Sequence, residues 1–160
     1  MSNLASLFGR YKALVIFDTE TSGLNPEDDQ IIELAALRVE RTAAGALRIA
    51  GKMDTFIKLP EGEQLPENIV TLTGITDRML QGMPTAGAAM MRFHQWIDHV
   101  WPAGEPLTII AHNAQFDVGF LDVAERVYDP TSPVFDCKWA CTKEMSWELN
   151  PQKRHHRVAD

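Results

Sequence analysis

The sequence predicts an α/β fold in which a mixed sheet, made of a three-stranded antiparallel meander plus parallel strands, is flanked by helices. Three observations support this prediction. Three strand-like runs follow one another between residues 13 and 57 with only turns between them. A fourth apolar run, Leu107–Ala111, has the composition of a buried strand. The segments on either side of that run place apolar residues at the three- and four-residue steps that are typical of helices.

The meander begins with Ala13–Thr21, whose five leading apolar residues are too few for a helix and are rich in β-branched and aromatic types. The second strand lies within Ile31–Arg41, which alternates well in its later part. Thr42–Gly45 has the composition of a hairpin loop and leads into a third strand, Leu47–Ile57. Gly51 is a candidate bulge in that strand.

A short helical segment is predicted to open at Pro66–Val70, after the meander. The turn that follows contains Gly74, which accepts backbone conformations that other residues resist. Thr76 or Asp77 can then cap the next helix. A structural turn is a sufficient explanation for these residues.

A longer helix is predicted from a cap at Thr85 through Trp101. One face of it collects the apolar residues Ala89, Phe93, Trp96, Ile97 and Val100. His94 and His99 lie in the same segment without acidic partners at metal-ligand spacing. We interpret both as surface or packing residues.

The helix after the fourth strand is predicted to turn five apolar residues toward the core: Phe116, Phe120, Val123, Ala124 and Val127. A strand at Val134–Asp136 and a helix over Cys137–Leu149 are predicted to follow. Cys137 and Cys141 lie four apart in that helical segment, and the sequence has no other cysteine to complete a zinc site. We expect free, buried thiols.

Composition indicates a single globular domain over residues 1–160. The apolar content of 45% and the charged content of 23% are ordinary, and neither a membrane-length apolar run nor a signal peptide is evident. We therefore expect a cytoplasmic protein that does not contact membranes. A net charge of -7 argues against holding long nucleic acid by phosphate neutralisation. It still allows an enzyme that grips a few terminal nucleotides.

The first strand ends in two acids, Asp18 and Glu20. Side chains alternate along a strand, so residues two apart share a face. Two carboxylates on one face repel each other and resist desolvation unless something positive lies between them, and a divalent cation is the obvious candidate. The alternative is that both are loop acids at the start of a turn that contains Ser22, Gly23 and Asn25.

Three separate segments carry a family resemblance, over about residues 1–145. Phe17–Leu24 with Gln30–Ala36 resembles the first motif of the DEDD 3′–5′ exonucleases, Thr73–Thr76 resembles a turn that recurs in them, and His112–Asp117 resembles their second motif. The similarity is greatest to the proofreading exonuclease domains of bacterial replicative DNA polymerases, such as the epsilon-like domain of DNA polymerase III. The resemblance implies a ribonuclease H-like sheet.

The resemblance also implies roles for particular residues. Asp18, Glu20 and Asp117 match the acids that bind two catalytic metal ions, Mg²⁺ or Mn²⁺, although Asp117 alone could be a helix-start acid favoured by the helix dipole. Three further residues, Thr21, Gly23 and Leu24, match those beside the terminal nucleotide, and His112, Asn113 and Phe116 match those that line the strand-separated end. Phe116 could equally be a core residue.

The activity implied is metal-dependent 3′–5′ exonuclease action on DNA, with nucleoside 5′-monophosphates as products of a two-metal displacement. The expected partners are the 3′ end of single-stranded DNA and a DNA polymerase subunit, in a proofreading setting. Two alternatives stay open. The chain could be a 3′ exoribonuclease on the same fold, because no motif reads the sugar 2′-hydroxyl, or a non-catalytic module that binds a polymerase.

The histidine branch of this family has a third motif, His-x-Ala-x-x-Asp, which supplies a general base and a fourth acid. His155 and Asp160 have its spacing, but Arg157 stands where the motif has Ala. With His156 as the base, the acid would fall beyond residue 160. We therefore favour a domain that lacks its C-terminal part, including this motif.

Overall fold

The computed structural model describes residues 13–102, 104–129, 137–149 and 151–152. Five strands and five helices lie in that part of the chain. In chain order they are β1 (Ala13–Thr21), β2 (Ile31–Arg41), β3 (Leu47–Phe56), α1 (Glu67–Thr73), α2 (Asp77–Leu80), α3 (Ala86–Val100), β4 (Leu107–Ala111), α4 (Ala114–Tyr128), β5 (Cys137–Cys141) and α5 (Thr142–Leu149).

The strands form one mixed sheet in the order β3-β2-β1-β4-β5. The meander pairs antiparallel, whereas β4 runs parallel to β1 and β5 runs parallel to β4. The predicted mixed sheet is thereby confirmed. Because β1, β4 and β5 are parallel, their carboxyl ends meet at one edge of the sheet, where α/β folds usually place their sites.

The core lies between one face of the sheet and helices α3 and α4. Phe17 of β1 lies at its centre, with its ring 5.4 Å from that of Phe93 and 5.8 Å from that of Trp139. A second, smaller cluster joins Ile32 of β2 to apolar residues of the 65–80 segment. The predicted helix face is confirmed at Ala89, Phe93, Ile97 and Val100, which are buried, and Trp96 packs partly against the core.

Most local signals act as predicted. Thr85 caps α3 and Thr76 caps α2 through their side-chain oxygens, and Gly74 ends α1 in a left-handed conformation. The register between β2 and β3 shifts beside Gly51, as expected for a bulge. A Cβ at Gly51 would lie 3.0 Å from Cγ1 of Val100, so a glycine here also lets helix α3 approach the sheet.

The prediction of a helix over Cys137–Leu149 is wrong in its first part. Cys137–Cys141 is strand β5, which pairs in parallel with β4 from Leu107↔Cys137 to Ala111↔Cys141. The edge of the buried strand β4 offers backbone hydrogen-bond partners. Pairing with this edge outweighs the weak helix preference that the spacing of such a short segment indicates. The two cysteines lie at opposite ends of β5, and both are only partly buried rather than buried as expected. The strand predicted at residues 134–136 lies outside the described residues.

One residue of α4 does not follow the predicted pattern. Val127 is 65% exposed near the end of α4, where it lines an open groove of about 550 Å³ behind the loop after β1. Leu121 is buried on this helix, beside Phe120. No helix within the described residues is long and apolar enough to span a membrane.

Candidate active site

Strand β1 carries the first two acids of the candidate site. Residues 15, 17, 19 and 21 of this strand are buried, whereas Asp18 is exposed and Glu20 is half-buried. This alternation confirms that the two carboxylates share the less buried face. Asp18 lies opposite Ala35 on β2, and Glu20 lies opposite Glu33. The small side chain of Ala35 leaves the space above Asp18 open.

Asp117 approaches the same strand from the first turn of α4. Its side chain is buried, with 3% of its surface exposed. The Thr19 hydroxyl donates a hydrogen bond of 2.8 Å to Oδ1 of Asp117. Because β4 is the parallel neighbour of β1, the helix that follows β4 begins beside the carboxyl end of β1. The fold therefore brings together residues from two distant parts of the chain.

Electrostatics connect these acids through Asp18. Burial raises the pKa of Glu20, and repulsion from Asp18 raises it further. Burial raises the pKa of Asp117 from 3.8 to about 6, with repulsion from Asp18 adding to this effect and the Thr19 hydrogen bond opposing it. Although the side chain of Asp18 keeps much of its surface exposed, partial desolvation of the carboxyl raises its pKa, against the backbone hydrogen bond from Thr19 and the charge of His112. Asp18 is thus the shared neighbour of the other two.

The donor set fits a hard divalent cation. Carboxylate oxygens are the ligands that Mg²⁺ and Mn²⁺ prefer, and a cation between Asp18 and its neighbours would relieve the repulsion that raises their pKa values. Within the described parts of the chain, however, no three His, Cys, Asp or Glu side chains lie close enough together to hold a metal ion. The metal-ligand role of Asp18, Glu20 and Asp117 stays a prediction.

Glu33 and Asp54 add a second acidic pair that the sequence analysis did not identify. Burial raises the pKa of Glu33, and the neighbouring charges of Asp54 and Glu20 raise it further. The β1–β2 register explains why Glu33 lies beside Glu20, and in the β2–β3 register Asp54 is two positions from Phe56, the cross-strand partner of Glu33. Pairing the predicted strands so that their buried residues face the same side of the sheet could have revealed these neighbouring acids.

The residues predicted beside the terminal nucleotide form a tight turn after β1. The hydroxyl of Thr21 donates a hydrogen bond of 2.6 Å to the carbonyl of Gly23. A Cβ at Gly23 would lie only 2.2 Å from Oδ2 of Asp29, so glycine leaves room for the Asp29 carboxylate, which accepts a hydrogen bond from the backbone N–H of Asn25. Leu24 at the tip is 82% exposed, so an apolar side chain is presented to solvent next to the acids.

Two of the residues predicted to line the strand-separated end, His112 and Asn113, lie between β4 and α4, and the third, Phe116, lies in the first turn of α4. Nδ1 of His112 is 2.9 Å from the Thr142 hydroxyl, and Asn113 has a left-handed backbone with φ of 63°. Phe116 is half-buried, packs against the core and lies 5.0 Å from the ring of Phe120. The core alternative for Phe116 therefore accounts for its position.

Two neighbours of this turn were missed. Thr142 and Lys143 start helix α5, and the Nζ of Lys143 donates a hydrogen bond of 3.1 Å to Oδ1 of Asn113. Thr142 and Lys143 were expected to lie in the middle of a helix. They were therefore not recognised as the residues that follow the carboxyl end of a strand. The predicted third-motif residues His155, His156 and Asp160 lie outside the described residues.

Comparison with known proteins identifies the family. The RNase T family model, described as an exonuclease, matches residues 15–160. The chain is 37% identical over 148 residues to the PolC-type DNA polymerase III of Bacillus subtilis (strain 168), which covers 90% of this chain and 9% of the relative. The chain thus spans about a tenth of the length of that relative.

Solved structures share the fold. Cell-death related nuclease 4 (CRN-4) superposes with a TM-score of 0.74 at 16% identity, covering 94% of this chain and 51% of that one. A zinc-bound complex of E. coli exonuclease I with single-stranded DNA superposes with a TM-score of 0.66 at 21% identity, covering 89% of this chain and 31% of that one. From its fold and its sequence, the chain belongs to the RNase T family of exonucleases, with a ribonuclease H-like architecture.

Proposed function

We propose that this chain is a metal-dependent 3′–5′ exonuclease that releases nucleoside 5′-monophosphates from the 3′ end of DNA. One arrangement carries the proposal: Asp18 and Glu20 share the less buried face of β1, and Asp117 is hydrogen-bonded to Thr19 of the same strand. Burial raises the pKa of Glu20 and of Asp117, and repulsion from Asp18 adds to this effect. Acids that repel each other in this way are a common sign of a functional site. The family supports a nuclease as the specific assignment.

Asp18, Glu20 and Asp117 would hold two divalent ions, Mg²⁺ or Mn²⁺. Divalent ions bound there would supply an activated water and positive charge beside the leaving 3′-oxygen. The Thr19 hydrogen bond fixes the carboxylate of Asp117 in one orientation. The candidates for the general base, His155 and His156, lie outside the described parts of the chain, so we assign this role to none of the described residues.

The turn after β1 would position the terminal nucleotide. Leu24 presents an apolar side chain, and contact between an apolar surface and a base is favourable whichever base is present. His112 and Asn113 border the opposite side of the site, at the carboxyl end of β4. This arrangement suits an enzyme that accepts any base at the 3′ end.

Similarity to a PolC-type polymerase supports a proofreading setting, with a DNA polymerase subunit as partner. The single-stranded DNA in the exonuclease I complex supports single-stranded DNA as the substrate, and the zinc ion in that complex supports a divalent metal site. Both properties are described for those proteins and are proposals for this chain.

A directional degradation assay tests the proposal. Single-stranded DNA labelled at its 5′ end should shorten as a ladder in Mg²⁺ or Mn²⁺, with nucleoside 5′-monophosphates as products and no shortening in EDTA. Immediate release of the labelled nucleotide would instead indicate the 5′–3′ direction. A matched RNA oligonucleotide distinguishes the exoribonuclease alternative, which predicts faster degradation of the RNA.

Substitution then separates an enzyme from a binding module. Asp18→Asn should reduce nucleotide release by about 10³-fold or more, as expected when a group that stabilises transition-state charge is lost. Asp98→Asn makes the same chemical change at an exposed position on α3 and should leave release unchanged. Equal release by both variants, or oligonucleotide binding without any release by the wild type, would contradict the proposal.

A further inference from the structure

We propose that Lys143 binds a non-scissile phosphate of the DNA strand held in the site. Lys143 is the second residue of α5, directly after strand β5 reaches the carboxyl edge of the sheet. This inference rests on the proposed function, because it assigns a substrate contact to that same site. It adds to the site a cation that no family motif quoted above contains.

Two side-chain hydrogen bonds place Lys143 beside the site. The His112 ring bonds the hydroxyl of Thr142, and the Lys143 ammonium bonds the amide oxygen of Asn113. His112 is in turn close enough to Asp18 to lower the pKa of that carboxyl. The turns after β4 and after β5 are therefore tied together next to the acids. Lys143 is held at this junction.

The partner of Lys143 leaves its charge uncompensated. The amide oxygen of Asn113 is neutral, and within the described residues no carboxylate lies within 4.0 Å of the Lys143 ammonium. Several arginines differ in this respect: Arg126 pairs with Glu27, and both Arg38 and Arg48 pair with Glu40. A half-buried lysine with a neutral partner can take an anion without first breaking an ion pair.

The charge of the substrate gives this cation its role. The chain carries a net charge of -7, and its candidate site is lined by acids. Metal ions would neutralise only the scissile phosphate. The neighbouring phosphates of the strand would meet the same acidic edge, so a lysine there reduces the repulsion that opposes binding. Lys143 lies beside Asn113, a residue predicted to line the substrate, and from there its ammonium can contact these phosphates.

A contact to a non-scissile phosphate is made equally in the ground state and the transition state. Its loss should therefore raise KM and leave kcat nearly unchanged. Lys143→Met keeps the length of the side chain and removes the charge, and we expect KM for a short single-stranded oligonucleotide to rise roughly 10-fold at low salt. Lys143→Arg keeps the charge and should restore most of the affinity.

Salt dependence identifies a phosphate contact directly. Binding of a labelled oligonucleotide, measured by fluorescence anisotropy in Ca²⁺ at several salt concentrations, should weaken less steeply in Lys143→Met. The slope of log K against log salt should fall by about 0.7, the value for one lost phosphate contact on a single strand. A methylphosphonate makes one linkage of the oligonucleotide neutral. Moved along the strand, it should weaken binding by the wild type at one linkage, and at that linkage it should leave binding by Lys143→Met unchanged.

Lys138→Met is the matched control, because Lys138 is an exposed lysine near the other end of β5. If Lys143→Met changed KM and the salt slope no more than Lys138→Met does, while the wild type degraded DNA normally, this inference would be overturned. The proposed function would stay intact. Lys143-dependent binding without nucleotide release would overturn the proposed function alone. No oligonucleotide binding by the wild type would overturn both.

Discussion

The hydroxyl of Thr19 donates a hydrogen bond to the carboxylate of Asp117 across 98 positions of sequence, with a donor–acceptor distance of 2.8 Å. Both residues are buried, with 9% and 3% of their surfaces exposed. The bond stabilises the charged form of an acid whose pKa burial raises to about 6. Thr19 therefore orients Asp117 and keeps it ionised at neutral pH.

Replacing Thr19 tests this role. Thr19→Val keeps the shape of the side chain and removes the donor, so the pKa of Asp117 should rise further. We expect the metal-free protein to lose roughly 1–3 kcal/mol of unfolding free energy at pH 7.5, the usual effect of removing a hydrogen bond to a charged group. Urea unfolding in EDTA measures this loss.

Thr108→Val is the matched control for that substitution. Thr108 is also buried, but its hydroxyl has no hydrogen-bond partner within the described part of the protein. The same chemical change should there be neutral or stabilising. If both valine variants unfolded alike, the Thr19–Asp117 bond would have no special contribution.

The raised pKa of Asp117 predicts how stability depends on pH. The folded state holds its proton up to about pH 6, whereas the unfolded state releases it near 3.8. Folding therefore binds a proton between these values, and the contribution of Asp117 to stability falls as pH rises through this window. Asp117→Asn lacks this loss, so the metal-free variant should become more stable than wild type by roughly 1–3 kcal/mol above pH 6.

Urea unfolding in EDTA from pH 4 to pH 8 checks this prediction. The stability difference between Asp117→Asn and wild type should grow from pH 4 to pH 6 and then level off. The exposed-site variant Asp98→Asn should show no such growth. A difference that stays constant across the range would show that burial does not disfavour the charged form of Asp117.

The turn after β1 gives a prediction about substrate positioning. Gly23→Ala places a methyl group only 2.2 Å from Oδ2 of Asp29, so the Asp29 carboxylate must move away from the Asn25 backbone N–H that it holds, which loosens the turn that carries Leu24. We expect kcat/KM to fall about 10-fold or more, as displacements near 1 Å commonly produce. Steady-state kinetics on single-stranded DNA measure it. Gly87→Ala meets no atom within 4 Å and should leave kinetics unchanged while slightly stabilising helix α3.

Helices α3 and α4 are joined by a hydrogen-bonded histidine–glutamate pair away from the acids. Nε2 of His94 lies 2.9 Å and 2.8 Å from the two carboxylate oxygens of Glu125, whose side chain is 3% exposed. His94→Ala leaves a buried carboxylate without this partner and should cost about 2–4 kcal/mol of unfolding free energy. The double variant His94→Ala with Glu125→Leu should recover much of the loss.

His99→Ala, at an exposed position on the same helix, should have little effect on thermal or urea unfolding. A loss in His99→Ala equal to that in His94→Ala would contradict the importance of the pair. Nucleotide release at temperatures well below unfolding should be similar in all these variants, because neither His94 nor Glu125 is placed in the site.

Much of the fold follows from local patterns. The alternation of β1 predicts both its buried face and the shared face of Asp18 and Glu20, because a period of two is a property of any strand. The caps at Thr76 and Thr85 follow equally from local hydrogen bonding. The expected position of Asp117 required the family resemblance, since a helix-start acid is otherwise common.

What the sequence did not reveal depends on long-range packing. Cys137–Cys141 becomes a strand only because the edge of β4 is there to pair with it. The contacts from His94 to Glu125 and from Asn113 to Lys143 join residues about 30 positions apart on different elements, and no local pattern predicts such pairs.

Binding of Mn²⁺ to the metal-free protein tests the central claim most directly. An electron paramagnetic resonance titration, which follows free Mn²⁺, should show tight binding by the wild type at pH 7.5. Binding should be greatly weakened in Asp18→Asn, Glu20→Gln and Asp117→Asn and unchanged in Asp98→Asn. Equal Mn²⁺ binding by all of these variants and the wild type would contradict the assignment of these three acids as the metal site.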